Sequence, residues 1–150
     1  WKPHKDILET KEILKQFSEQ DETWALELKE TGRVIGSLGL HKTKKEKLPL
    51  HYDFELGYAL SEEYWGRGLI PEAAARAIKF AFLERDAKAL IVSHFPFNFR
   101  SKRVIEKLGF QYCSRLEKSW KRYDGLVLDE LVYVMTRERY FQLYAAISAI

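Results

Sequence analysis

The chain has 150 residues, 46% hydrophobic and 31% charged, with one cysteine and a formal net charge of +3. This suits a single folded domain over residues 1–150 with a real core, and no run of about 18 apolar residues offers a membrane span. Lys42, Lys44, Lys45 and Lys47, less Glu46, already account for the +3, so the excess is one basic loop rather than the broad basic face of a nucleic-acid binder.

Residues 5–19 place Ile7, Leu8, Ile13, Leu14 and Phe17 at helical spacing. Residues 23–30 alternate Trp24, Leu26 and Leu28 with Ala25, Glu27 and Lys29. After the turn at Thr31-Gly32, residues 33–41 resume a strand, which predicts an antiparallel hairpin. The basic loop at 42–50 follows. Residues 52–60 alternate again: Tyr52, Phe54, Leu56, Tyr58 and Leu60 share one face, and Asp53, Glu55, Gly57 and Ala59 the other. Gly57, amid bulky residues, suggests a bulge or a close backbone approach.

From Pro71, suited to a first helical position, the period becomes helical to about residue 85. Glu72, Arg76, Lys79 and Asp86 form its polar stripe. Residues 89–95 read as a buried strand, so strand, helix and strand make a βαβ unit with parallel strands. Ser101 suits an N-cap for a short helix that ends at Gly109. Residues 111–123 and 126–136 form a hairpin around Asp124-Gly125. Residues 137–149 close the chain as a helix, with Tyr140, Leu143, Tyr144 and Ile147 on one face.

Between the central strand and its helix lies Trp65-Gly66-Arg67-Gly68-Leu69-Ile70. Glycines ahead of a helix N-terminus let backbone N–H groups approach an anion, and Arg67 adds a forked cation. A tight turn alone explains the glycines equally well. Neither common nucleotide fingerprint fits, since a third glycine and a G-K-[ST] run are both missing.

The run Glu55-Leu56-Gly57-Tyr58, then Tyr64 to Gly68, then Glu72-Ala73 is followed by Asn98-Phe99-Arg100-Ser101 and Lys107-Leu108-Gly109-Phe110. This ordered set resembles the GNAT superfamily of acyl-CoA N-acyltransferases, and within it the ribosomal-protein N-terminal acetyltransferases of the RimJ/RimL type. The resemblance spans about residues 24–133. It implies an α/β (α+β) domain: a twisted mixed sheet with helices on both faces, preceded in the family by a further strand and helix. Because the chain opens on Trp1 rather than Met, a start upstream is expected. Acetyl-CoA is the implied cosubstrate, with no metal, and the acceptor is an amine, the N-terminus of a protein for this type. Attack is direct, with no covalent enzyme intermediate. A small-molecule amine such as a polyamine or an aminoglycoside-like compound is the competing acceptor, and a non-catalytic acyl-CoA-binding module is a third reading.

The resemblance assigns the pyrophosphate to Trp65, Gly66, Arg67, Gly68, Leu69 and Ile70, although Ile70 stands where the superfamily often has a small residue. It assigns the acetyl carbonyl to backbone N–H groups near Tyr58 and Leu60, where the family's strands splay. Asn98 would bond the pantetheine arm. Ser101 would sit near the thioester sulfur, or serve as a plain cap. Glu55 and Asp53, two apart on one strand face, could deprotonate an ammonium or simply be solvated. The family's alternative glutamate falls at Lys121, so it does not carry over. Cys113 has no local histidine partner and reads as structural; a lone cysteine also fits a reducing cytoplasm. The four histidines lack metal spacing, and His51 is placed on the carboxylate face. Trp24, Trp65 and Trp120 read as core or cleft wall. The basic loop is either a solvated loop or a contact for an acidic acceptor or the coenzyme's phosphates. No nucleic-acid or membrane partner is expected, and a homodimer packed through Tyr140 and Tyr144 stays open.

Overall fold

The computed structural model describes residues 2–19, 22–42 and 45–144. In chain order the elements are α1 (Ile7–Glu19), β1 (Thr23–Leu28), β2 (Arg33–His41), β3 (Phe54–Leu60), a 3-10 turn at Glu62–Tyr64, α2 (Leu69–Leu83), β4 (Ala89–His94), α3 (Phe99–Lys107), β5 (Gln111–Lys121), β6 (Val127–Thr136) and α4 (Arg137–Tyr144). Six strands form one sheet in the order β1-β2-β3-β4-β6-β5. β3 and β4 pair in parallel, and the other neighbours pair antiparallel. The hairpins and the βαβ unit follow the expectations from periodicity, and the mixed sheet follows the expectation from the resemblance.

Strand alternation sends Leu38, Leu40, Phe54, Leu56, Leu90, Val92, Tyr133 and Met135 to one face. There they meet Ala74, Ile78, Ala81 and Phe82 of α2, Ile105 of α3 and Tyr140 of α4. Tyr140 stacks on Phe82, Tyr144 stacks on Tyr140, and the Tyr144 hydroxyl donates to Leu108 O. These tyrosines therefore pack against the core of the protomer. Ile147 and the end of the expected last helix lie outside the described residues. On the opposite face a smaller cluster of Ile91, Leu116 and Val132 is covered by Leu48, Leu50 and Tyr52. α1 contacts β1 and buries none of its residues; its Leu14 and Phe17 line a cleft with Ala25, Ser37 and Ala59, whose parity places them opposite Leu38.

Three local expectations need correction. Tyr52 is outside the strand and on the other face, because the chain is pinned at Asp53. The Asp53 carboxylate accepts from Lys88 N (2.7 Å) and Ala89 N (3.1 Å), and Asp53 N donates to Ala89 O. Tyr52 then turns away and its hydroxyl accepts from Lys45 N. Pro71 is the third helical residue, not the first, since Gly68 is the N-cap. Its missing N–H is still among the four that lack an intrahelical partner, so the site tolerates it. Gly57 pairs regularly with Gly39 and makes no bulge. A Cβ on Gly57 would come within 3.1 Å of the His41 ring, and one on Gly39 within 2.7 Å. The close approach is therefore an imidazole laid across two glycines.

Removing the Asp53 carboxylate leaves two backbone donors at the start of β4 without their charged acceptor. Asp53→Ala should lower stability by about 1.5–3 kcal/mol, since hydrogen bonds to charged groups are the stronger ones. Urea unfolding that shows no loss would remove Asp53 as the clamp.

Candidate active site

β3 and β4 pair only at Phe54–Leu90 and Glu55–Ile91. Beyond that point β3 follows β2 as far as Leu60, and β4 follows β6 as far as His94. Between them the sheet opens into a V. Backbone groups on the inner edges of a V are not consumed by a ladder, so they are available to something placed there. Tyr58 and Leu60 lie on the β3 arm of this opening.

At the end of β3 stand the glycines. Gly66 (φ 79°) and Gly68 (φ 77°) both adopt the left-handed conformation, and a Cβ on either would meet nothing within 4 Å. Sterics inside the protein therefore do not demand glycine here; backbone conformation and an open outer surface do. Gly68 caps α2 without a side-chain hydrogen bond. Ile70 is buried in the core, so its bulk points away from this surface. Leu69 is the first helical residue and is half-buried. Trp65 is 41% exposed and fixed by Nε1 donating to Leu60 O at 2.9 Å. Arg67 lies 5.3 Å over the Tyr64 ring, and Arg100 lies 4.4 Å over Trp65. The Arg100–Trp65 stack joins the glycine turn to the first turn of α3, a link the sequence reading missed. Two cations and an uncapped helix N-terminus make this end of the V suited to an anion.

On α3 the cap is Asn98, whose Oδ1 accepts from Ser101 N at 3.1 Å. Ser101 is therefore not the N-cap but the third residue of the helix. Its hydroxyl is 2.7 Å from the Tyr58 hydroxyl. This contact bridges β3 and α3. Burial raises the Tyr58 hydroxyl above its ordinary value of 10.0, offset in part by the hydrogen bond to Ser101. Near neutral pH it is a neutral donor.

The two carboxylates expected to act together are apart: Asp53 is spent on the start of β4. His51 is 82% exposed and 3.9 Å from Asp53, so it does not reach Glu55's surroundings through that pair. Glu55 joins a different group. Lys45 Nζ is 3.0 Å from Glu55 Oε1 and 2.5 Å from Glu130 Oε1. Ser93 Oγ is 2.9 Å from both carboxylates, and its single proton can serve one at a time. Ser119 Oγ donates to Glu130 Oε2. The Lys45, Glu55 and Glu130 side chains are 12%, 15% and 8% exposed. Two carboxylates thus gather on one ammonium beside the opening of the V. Sequence reading missed Glu130, although it is a charge on the strand face that also carries Val132 and Val134.

The basic loop does not present all its lysines outward. Lys45 is turned inward, Lys42 lies 5.9 Å over the Phe54 ring, and Lys44 is outside the described residues. Cys113 is half-buried on β5, and burial pushes its thiol up, against thiolate chemistry. His94 is buried between Phe95 O and the Tyr133 hydroxyl, a structural role. Trp24 packs edge-on against Phe80, as a wall residue. Among the described residues no group of three or more His, Cys, Asp and Glu could hold a metal, and no helix is long and apolar enough to cross a membrane.

The buried group sets a pH dependence. Burial would lower Lys45, but Glu55 and Glu130 outweigh it and raise the ammonium above 10.5. Burial would raise Glu130, but Lys45, Ser119 and Ser93 outweigh it and lower the carboxyl below 4.5. The Glu130 contribution is thus complete above 4.5 and lost as pH falls through its lower folded value; the Lys45 contribution is complete below 10.5 and lost as pH rises through its higher folded value. Glu130→Gln should flatten that part of the acid limb in urea unfolding. Lys45→Met should cost about 3–5 kcal/mol at pH 7, as for one partner lost from a buried pair. An unchanged acid limb in Glu130→Gln would show the pairing is absent in solution.

Comparison with known proteins bears on this geometry. Over 99 residues the chain is 31% identical to the uncharacterized protein YkkB of Bacillus subtilis, covering 66% of this chain and 55% of that one. It is 27% identical over 81 residues to the ribosomal protein uS5-alanine N-acetyltransferase of Escherichia coli, covering 54% of this chain and 41% of that enzyme. The chain thus spans about half the length of these relatives. A solved chimera of the Vibrio cholerae spermidine N-acetyltransferase SpeG and hSSAT superposes with a TM-score of 0.75 at 16% identity, over 94% of this chain and 82% of that one, and shares the fold. Residues 1–111 match the family described as the acetyltransferase (GNAT) domain, and the chain belongs to that family.

Proposed function

We propose that this chain transfers acetyl from acetyl-CoA to the N-terminal amine of a polypeptide. The carrying observation is the opening of β3 from β4 directly beside a glycine turn whose outer surface is clear of side chains. The coenzyme brings the acyl group as an activated thioester. Gly66, Gly68 and the first N–H groups of α2 would hold its pyrophosphate, with Arg67 and Arg100 supplying charge. The Asn98 amide nitrogen would bond the pantetheine arm while its oxygen caps α3. Backbone donors near Tyr58 and Leu60, aimed at the acyl oxygen, would stabilise developing negative charge.

Protons move at both ends. The acceptor ammonium must lose one before it can attack, and Glu55, the last paired residue before the V opens, would take it through water. The Tyr58–Ser101 hydroxyl pair would return one to the leaving sulfur. With nucleophile and thioester held together, no covalent enzyme intermediate is needed. An α-amine, with pKa near 7.7–8.0 against about 10.4 for lysine, offers about two orders of magnitude more neutral amine at pH 7. That favours a protein N-terminus with a base of ordinary strength, as does the relative named for uS5 alanine. Carboxylates beside the opening of the V also suit a small polyamine, the substrate named for the solved structural neighbour.

A thiol-release assay with peptide N-termini and spermidine separates these. Turnover on peptides is expected; turnover on spermidine and on no peptide would move the acceptor to small amines, and no turnover at all with tight acetyl-CoA binding would leave a binding module. Gly68→Val should weaken acetyl-CoA binding more than tenfold by calorimetry, over about 1.4 kcal/mol, because a side chain there stands where the anion would sit. Unchanged affinity in the folded variant would rule out the glycine cradle. Tyr58→Phe and Ser101→Ala should each lower kcat at least about tenfold, with acetyl-CoA affinity within about twofold. Since Asn98 is the cap, Ser101→Ala should leave the melting temperature near the wild-type value. Normal kcat in both variants would remove the hydroxyl pair from proton return.

A further inference from the structure

One imidazole lies on the Glu55 face and has no part in the proton steps above. His41, the last residue of β2, stands directly across the antiparallel ladder from Glu55, and Gly39 stands across from Gly57. Alternation puts all four positions on one face of the sheet. The His41 ring lies over the glycine pair. A Cβ on Gly39 would meet Cε1 at 2.7 Å and Nε2 at 2.8 Å, and a Cβ on Gly57 would meet Nε2 at 3.1 Å and Cδ2 at 3.2 Å. Both glycines sit in regular strand pairing and neither has a positive φ, so backbone conformation does not call for them. Glycine weakens a strand interior and marks a close approach, and here one ring makes the approach. Gly57 is two residues past Glu55, where β3 has already parted from β4. The His41 ring is half-buried on this arm of the opening, and among the described residues neither of its nitrogens makes a hydrogen bond. Both nitrogens of His94, by contrast, are engaged.

Resting on the acetyl-transfer reading above, we propose that His41 is a further catalytic residue, whose Nε2 takes the proton from the acceptor ammonium at the opening of the V. The proton leaves the ammonium nitrogen for the Nε2 lone pair, with the ring hydrogen on Nδ1, and the imidazole becomes imidazolium. The electron pair freed on the acceptor nitrogen then attacks the thioester carbonyl carbon. The imidazolium gives its proton through water to Glu55 or to solvent, which returns the ring to its starting form. Histidine is the side chain used most often for such transfers. Its place beside Glu55 suits the charge it would gain. Directly opposed residues of an antiparallel pair hold their Cβ atoms about 4.5–5.5 Å apart, and a carboxylate that near favours the charged ring. The glycine pair supplies the reach. It lets the ring extend from β2 across to β3, the strand that lines the opening, where a side chain at 39 or 57 would push it aside.

The test measures acetylated amine directly, with peptides and spermidine as acceptors and acetyl-CoA saturating. His41→Ala and His41→Gln should each lower kcat by at least about tenfold, below the full contribution of a positioned base, with acetyl-CoA affinity by calorimetry within about twofold. Gln keeps a polar side chain of similar reach but cannot take the proton, so it would preserve activity if the ring served packing alone. Added imidazole should restore turnover to His41→Ala, where the two glycines leave space for a ring. Thiazole, a similar ring of far weaker basicity, should not. The Cβ of Gly57→Ala meets only the imidazole among residues that are not its chain neighbours. This variant should lower kcat about three- to tenfold by displacing the ring, and should cost less than about twofold more in the His41→Ala background. A kcat equal to wild type in His41→Gln, equal rescue by thiazole, or the same Gly57→Ala loss in both backgrounds would overturn the role of His41 while leaving acetyl transfer intact. No acetylation of any amine by the wild type would overturn the acetyl-transfer reading as well.

Discussion

β3 and β4 run side by side for two residue pairs, and every candidate group is placed by where they part. One end of the short ladder is fixed by Asp53, which holds the first backbone donors of β4 and sends the preceding chain to the other face. The other end is pulled open because each strand has a stronger antiparallel commitment elsewhere: β3 to β2 over six pairs, β4 to β6 over six pairs. Parallel pairing is slightly the weaker kind, so it yields first. α2 must start where β3 stops, which puts the glycine turn at the wide end. α3 must start where β4 stops, which brings Ser101 opposite Tyr58. Slip the register of β3 on β2 by one residue and side-chain parity would exchange the faces of Tyr58 and Glu55.

The two faces of the sheet then divide the work. On one, Tyr58 and Ser101 meet beneath the helices, in a region closed by the main core. On the other, Lys45, Glu55 and Glu130 form a charged group roofed by a loop. A buried ion group of this kind is weak evidence for stability, because desolvation opposes its Coulomb attraction. Its definite structural effect is to tie loop residue 45 to β3 and β6 together. That tie also covers Ile91, Leu116 and Val132, which the helices do not reach.

Much of this was legible in the chain, and the limits have physical causes. Periodicity separates β3 from α2 cleanly, because the spacing of apolar residues changes from two to about 3.6 at a glycine pair. The resemblance to GNAT enzymes rests on short runs at the ends of elements, where the fold places its chemistry. Cap positions were misplaced by up to three residues because Asn98 and Ser101 are both good caps, and only the backbone decides which side chain accepts. Asp53 was grouped with Glu55 because alternation looks the same one residue before a strand as inside it. The Lys45–Glu130 contact joins positions 85 apart, and a hydrophobic pattern carries no information about which buried charges meet. Glu130 did leave a trace, as an acid interrupting the apolar row of β6. The His41 ring over Gly39 and Gly57 left none, since missing Cβ atoms do not say what fills the space.

The V also makes β3 unequal along its two edges. Within one strand, amide groups alternate in direction, so past Glu55 those facing β2 are locked in an antiparallel ladder while those facing β4 have no ladder to join. Local opening free energy is therefore not a property of the strand as a whole but of each alternate residue. Amide hydrogen exchange along residues 56–60 would read as a saw-tooth, slow and fast by turns, and occupation of the cleft would fill in the fast teeth. A single strand thereby carries its own internal reference for whether the cleft is occupied.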